Sequence, residues 1–269
     1  PDPAPDTTWT YDATGRLSAA QAAYRNWQEG GLNTLAVSSS IDGRAIQRTT
    51  RWKQTYEMRL VFGIIQQDTL AVRKSEDLIR LGAALQYRGD GFFRVFNPTI
   101  AAGLRTQFAE GLDYDGDPFG EGREPPVKSS DFFAPATITQ SLGLIYTPRD
   151  WVSQRISAAG KQTVVTIDRL RPLYDVNVDD VARWEAGVES VTALDRELFE
   201  NVRLQSTLTA FLAVNQPEPP DVLWENLLTM QVNSWLSTQV EYVLLYDDNT
   251  STAVQMKEVL SVGVTFSIL

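Results

Sequence analysis

Apolar and polar positions alternate along most of this chain in segments of about 10 to 15 residues separated by turn residues. The period is two, so each segment predicts a β-strand, and helical periodicity is almost absent. The clearest segment is 51–65. Trp52, Gln54, Tyr56, Met58, Leu60, Phe62 and Ile64 share one face, and Arg51, Lys53, Thr55, Glu57 and Arg59 the other. The same alternation recurs at 79–88, 96–108, 137–146, 202–212 and 255–268. Less regular segments fit near 13–25, 34–47, 151–166, 183–198, 222–233 and 235–246. Together they predict about twelve strands, an even number.

The connections alternate in length. Residues 48–51, 89–91, 148–150, 198–201 and 233–234 make tight turns. Between them lie longer stretches at 26–33, 67–77, 109–135, 168–182, 215–221 and 247–252. This is the arrangement of an all-β, transmembrane antiparallel β-barrel with short periplasmic turns and longer external loops. An even strand count places both termini in the periplasm. Residues 1–8, Pro-rich and polar at their start, read as a flexible periplasmic tail, and 9–269 as the barrel with its long external loop at 109–135.

A period of two also fits a soluble sheet, apolar inside and charged outside. The aromatic residues decide between the two. Trp9, Trp52, Trp151 and Trp235 fall at the starts of strands rising from tight turns. Tyr24, Trp27, Trp184, Trp224 and Tyr246, with Phe108, fall near the opposite end. Two aromatic girdles flanking a band of Leu, Val, Ile and Ala match the two interfaces of a membrane. A soluble core has no reason to sort its tryptophans to strand ends. The last segment, 259–269, alternates to a penultimate Ile268 after Phe266 and resembles the C-terminal recognition strand of barrels inserted into outer membranes.

Composition changes meaning in this light. Of 269 residues, 43% are apolar, the mean hydropathy is −0.22, and 24 Lys+Arg against 34 Asp+Glu leave a net charge of −10. A barrel gives such values when half of each strand faces a polar lumen. The acidic balance argues against nucleic acid as a partner. The chain has no cysteine, hence no disulfide, thiolate chemistry or sulfur-linked lipid anchor. It also has no histidine, the usual general base and commonest metal ligand.

Several blocks carry a resemblance. They are QAAYRNWQEGG (21–31), LRTQFAEGLDY (104–114), FAPATITQSLG (133–143), Asp221 to Trp224 with Glu225, Tyr246-Asp247-Asp248 and QMKEVLSVG (255–263). Running in this order from about Trp9 to the end, they resemble a Bacteroidota-type outer-membrane β-barrel family catalogued only as a domain of unknown function. The resemblance implies the outer membrane of a Gram-negative, Bacteroidota-like bacterium, and brings no catalytic or ligand-binding residues with it.

Inward positions carry both signs of charge: Lys53, Glu57, Arg59, Arg80, Arg88, Arg105, Arg183, Glu185, Glu189, Arg203, Glu225, Glu241 and Lys257. Long side chains of opposite charge reach across a narrow barrel and fill it. The expected role is therefore structural, or that of an accessory subunit in a cell-envelope assembly, with the lumen largely occluded by paired charges. The alternative is a small-solute channel in which Arg59, Arg80, Arg88 and Arg105 form a track for anions. Outer-membrane barrel enzymes work through histidine, and neither G-x-S-x-G nor S-x-x-K occurs, so a non-enzyme is expected. Asp113, Asp115 and Asp117, with Glu124, echo a calcium loop, but Pro118 occupies the position that needs glycine. A solvated acidic loop without cofactor is the expectation, and a calcium site built from Asp113, Asp115 and Asp117 the alternative. Expected partners are outer-membrane lipid or lipopolysaccharide and, through the external loops, other envelope proteins. Pro118, Phe119, Pro125, Pro126, Phe132 and Phe133 make loop 109–135 stiff and partly apolar.

Overall fold

The computed structural model describes residues 8–23, 33–216 and 218–269. Twelve strands close into one antiparallel barrel. They are β1 (Thr8–Ala22), β2 (Thr34–Arg48), β3 (Trp52–Gln67), β4 (Arg73–Tyr87), β5 (Phe96–Thr106), β8 (Ala136–Arg149), β9 (Val152–Val164), β10 (Ala182–Phe199), β11 (Val202–Ala213), β12 (Asp221–Gln231), β13 (Leu236–Asp247) and β14 (Ser251–Ser267). Strands β6 (Gly111–Asp113) and β7 (Val127–Ser130) form a separate hairpin inside the long loop. Each barrel strand pairs with its sequence neighbours, and β14 closes the ring onto β1.

The pairing confirms the faces read from the alternation. Leu17, Leu142, Ile156 and Leu260 point outward and are each more than half exposed. Inward positions are polar, and Arg16, Ser141, Ser157, Lys161, Thr163, Glu185 and Glu189 are buried there. A continuous apolar exterior around a charged interior inverts the soluble pattern. It is the arrangement of a barrel whose outer solvent is hydrocarbon.

Following Cα partners once around the ring returns to β1 about 20 residues further along. The strands are therefore steeply tilted, and the barrel is wider than its strand number alone would make it. Gly143 serves a close approach between the paired strands β8 and β9: a Cβ there would stand 2.1 Å from the Ile156 carbonyl oxygen. The seam between the first and last strands is short. Strands β1 and β14 pair only from Thr14–Ser267 to Ala19–Val262, whereas β1 and β2 pair from Thr8–Arg48 to Ala22–Thr34.

Three details differ from the sequence expectation. Strand β4 begins at Arg73 rather than near 79, so most of the stretch 67–77 is strand and not loop; charged Arg73, Lys74, Glu76 and Asp77 hid the apolar alternation. The first strand begins at Thr8 rather than near 13, because outward Trp9 and Tyr11 are followed by small Ala13 and Gly15, which weaken the apolar signal. The turn after β4 is not a three-residue one. A single helical turn, α1 (Phe92–Val95), precedes β5, and Asn97 Nδ2 donates to the Phe93 carbonyl at 2.7 Å.

The apolar packing that a soluble protein places inside lies here at the long-loop end. Ala134, Val165, Leu170 and Val176 are buried together, with Phe119, Ile167, Leu173 and Tyr174 packed on them. They join loop 107–135 to a 3₁₀ helix at Asp168–Tyr174. Some of the loop's apolar surface is thus used internally, while Phe132 stays exposed. The Tyr174 hydroxyl donates to the Ser129 carbonyl oxygen at 2.9 Å, and burial pushes its pKa up to about 12. The folded protein therefore holds this proton more tightly than the unfolded chain, whose phenols titrate near 10. The contact stabilises fully below about pH 10 and is lost as pH rises towards 12. Absorbance at 295 nm should show a late-titrating phenol that Tyr174→Phe removes. An unchanged alkaline limb in the variant would contradict this.

Candidate functional site: a lumen crossed by ion pairs

Strand closure brings together inward charges that are far apart in sequence. Arg80 on β4 and Arg105 on β5 are direct Cα partners, a like-charge pair that repels unless compensated. The compensation comes from the opposite wall. Glu225 on β12, across the ring from β4, forms ion pairs with Arg80 and with Arg105, the latter at 3.3 Å. One carboxylate thus ties both arginines across the lumen.

A second set crosses beside it. Arg59 Nη2 on β3 is 3.1 Å from Glu241 Oε2 on β13, and Arg59 Nε is 3.9 Å from Asp42 on β2. Lys257 on β14 bridges Glu241, its near neighbour at 2.9 Å, and Glu76 on β4 at 2.8 Å. Near the long-loop end, Lys161 on β9 is the hub of a third set. It pairs with Asp221, with Glu185 at 3.1 Å and with Asp247 at 4.0 Å. Its ammonium also lies 5.4 Å from the Phe211 ring centroid. Arg183 shares Glu185 at 3.1 Å, and Arg155 pairs with Glu189 at 2.9 Å.

The remaining lumen charges named from the sequence are placed nearer the tight-turn end. Arg203 makes a two-pronged pair with Asp195, at 2.6 and 2.7 Å, within one wall. Glu57 pairs with its strand partner Arg44 at 3.3 Å. Lys53 and Arg88 form no ion pair among the described residues. Arg16, which sequence reasoning did not single out, is buried and held by the Ser237 and Ser261 oxygens. Lys161, Asp221 and Asp247 were also missed. The alternation through 151–166 is irregular, but Arg155, Ser157 and Thr163 share the parity of Lys161 and mark its inward side.

Of the aromatic residues, Trp9 and Trp52 lie exposed on the outer face near the tight turns, and Trp235 is exposed in the tight turn before β13. Trp151 lies at that end under the Arg196 guanidinium, 4.7 Å from the ring centroid. Ring contacts extend the row: Trp9 stacks on Tyr11 at 5.6 Å, and Trp52 with Tyr87 at 5.1 Å and Phe96 with Tyr146 at 5.4 Å are tilted pairs, all between centroids. Trp184 and Trp224 are exposed towards the other end, with Tyr246 on the same outer face. Tyr24 and Trp27 lie outside the described residues.

The acidic loop has a local structural use. Asp113 Oδ1 accepts backbone N–H bonds from Asp115 at 2.9 Å and Gly116 at 3.1 Å. Asp117 accepts from the N–H groups of Phe119, Glu121 and Arg123, which hold its carboxyl below the usual range. Among the described residues no group of acidic side chains is arranged to hold a metal ion.

Residues 19–112 match the family described as "Protein of unknown function (DUF3078)". That agrees with the resemblance read from the sequence blocks, of which those from Phe133 onward lie beyond the match. No curated protein matches the chain. Among solved structures, the translocator domain of the autotransporter NalP from Neisseria meningitidis is similar at TM-score 0.39 and 9% identity, covering 96% of this chain and 87% of that one. An outer membrane channel from Pseudomonas putida F1 is similar at TM-score 0.40 and 10% identity, covering 98% and 95%. The toluene transporter TodX of Pseudomonas putida is similar at TM-score 0.31 and 9% identity, covering 98% and 90%.

Proposed function

We propose that this chain is an outer-membrane β-barrel of a Gram-negative bacterium. Its lumen is held shut by ion pairs, and it serves a non-catalytic, structural or accessory role in a cell-envelope assembly. The observation that carries the reading is the bridge from Arg80 and Arg105 to Glu225 on the opposite wall, with Arg59–Glu241 and Lys257–Glu76 beside it. Charges in a lumen are tolerated when paired, and pairs that span it obstruct passage as well as brace the walls. The outer rows of aromatic residues fit the two faces of a bilayer, and the tight-turn end fits the periplasm, where short turns belong. Lipid or lipopolysaccharide covers the apolar exterior in this reading. The exposed Phe132 on the external loops is a place for another envelope protein to dock.

Recording from purified barrel in a planar bilayer tests the closed lumen. Wild-type protein should give no steady conductance. The triple variant Arg80→Ala/Arg105→Ala/Glu225→Ala should conduct. A steady open wild-type channel would replace this reading with that of a small-solute channel, for which the part-exposed Arg80 and Arg105, at 36% and 40%, would be the anion track.

A further inference from the structure

Cations and carboxylates are matched along the upper lumen but not at the tight-turn end. There, Arg48 on β2 and Lys53 on β3 are direct Cα partners, both pointing inward. Lys53 is in turn the partner of Gln86 on β4, and Arg88 follows two residues later on the same side, its N–H donating to the Arg51 carbonyl at 2.7 Å. Three like charges therefore stand in a row on three adjacent strands. Side by side across a ladder they repel. The carboxylates nearest this end are paired with other arginines, Asp90 with Arg51 at 3.5 Å among them. Glu57 lies 3.3 Å from Arg44, and Asp12 is the Cα partner of Arg44, two inward steps above the row. Among the described residues, Arg48, Lys53 and Arg88 form no ion pair, whereas the inward cations Arg59, Arg80, Arg105, Arg155, Lys161, Arg183, Arg203 and Lys257 each have a carboxylate. Arg16 is the other exception, and serine oxygens hold it.

We propose that Arg48, Lys53 and Arg88 form the binding site for a small multivalent oxyanion of the phosphate class, entering the lumen from the tight-turn end. Two guanidinium forks and an ammonium suit an oxyanion with several acceptor oxygens. Arg48 and Arg88 are solvent-exposed, so the site is reachable. The row faces the lumen rather than the lipid, which selects a soluble anion over a lipid headgroup. Bound there, the anion supplies the counter-charge that the strand register withholds.

Calorimetric titration of pyrophosphate into the full barrel, in a non-ionic detergent at low salt, tests the site. Wild-type protein should bind one equivalent saturably, with affinity falling as salt rises. Arg48→Gln/Arg88→Gln should weaken binding at least tenfold. Arg94→Gln/Arg149→Gln removes the same charge at the same end but outside the row, and should leave binding within twofold. Folding of each variant is checked by the mobility shift between heated and unheated samples on a gel. If the double row variant does not fold, Lys53→Gln alone should still weaken binding at least threefold. Absence of saturable binding, or equal losses in the row and control variants, would overturn the site. The readout is binding in micelles, so its failure leaves the closed-lumen reading standing, and a conducting wild-type barrel leaves this one standing.

Discussion

Replacing Leu142 by arginine is expected to destabilise the folded barrel by about 2–4 kcal/mol, measured as equilibrium unfolding by guanidinium in lipid vesicles. Leu142 points outward, 62% exposed, in the middle of β8. Its partners Ile100 and Ala158 are likewise away from the strand ends. A charge at that height sits in the hydrocarbon, where only snorkelling and local thinning relieve it. Leu198→Arg provides the contrast. Leu198 is also outward and exposed, at 42%, but it adjoins the turn between β10 and β11. There the cost should be about 0–1 kcal/mol. In a water-facing barrel both substitutions would be neutral or helpful. Equal costs at the two positions would therefore refute the lipid-facing assignment of this surface.

The second large effect is expected from Glu225→Ala. A buried ion pair broken from one side costs about 3–5 kcal/mol, because the surviving charge is stranded. Here the stranded charges are two, Arg80 and Arg105, already opposed across the β4–β5 ladder. Against this, their side chains are 36% and 40% exposed to lumen water, which screens them. The expected net loss is about 1–3 kcal/mol. Adding Arg80→Ala to the variant should recover part of that loss, giving a coupling energy in a double-mutant cycle. If Glu225→Ala costs no more than an outward polar substitution, the bridge contributes no stability and obstructs the lumen at most.

Much of this architecture was legible because a strand exposes its faces in its spelling. The alternation in 51–65 sorted Trp52, Tyr56 and Phe62 from Lys53, Glu57 and Arg59, and strand pairing places them on those two faces. Which charges meet was not legible. That Glu225 reaches Arg80, 145 positions away, depends on the ring's closure and stagger, and neither is written in any single strand. Lys161 escaped notice because outward Ala158 and Gly160 blur the local period. The β6–β7 hairpin and the 3₁₀ helix of Asp168–Tyr174 lie in loops, where their order rests on mutual packing around Leu170 and Val176 rather than on periodicity.

The short seam between β1 and β14 bears on how such a chain is put together and taken apart. Its two ends are joined by the least extensive stretch of paired strand, Thr14–Ala19 against Val262–Ser267 with the Ile268 N–H donating to the Ala13 carbonyl beyond it, while β14 runs on to Ser251 with only β13 alongside among the described residues. Backbone hydrogen bonds are the currency of cohesion in a hydrocarbon solvent. The hoop therefore has a preferred point of rupture. A strand that exchanged with β1 there would have the fewest backbone bonds to displace.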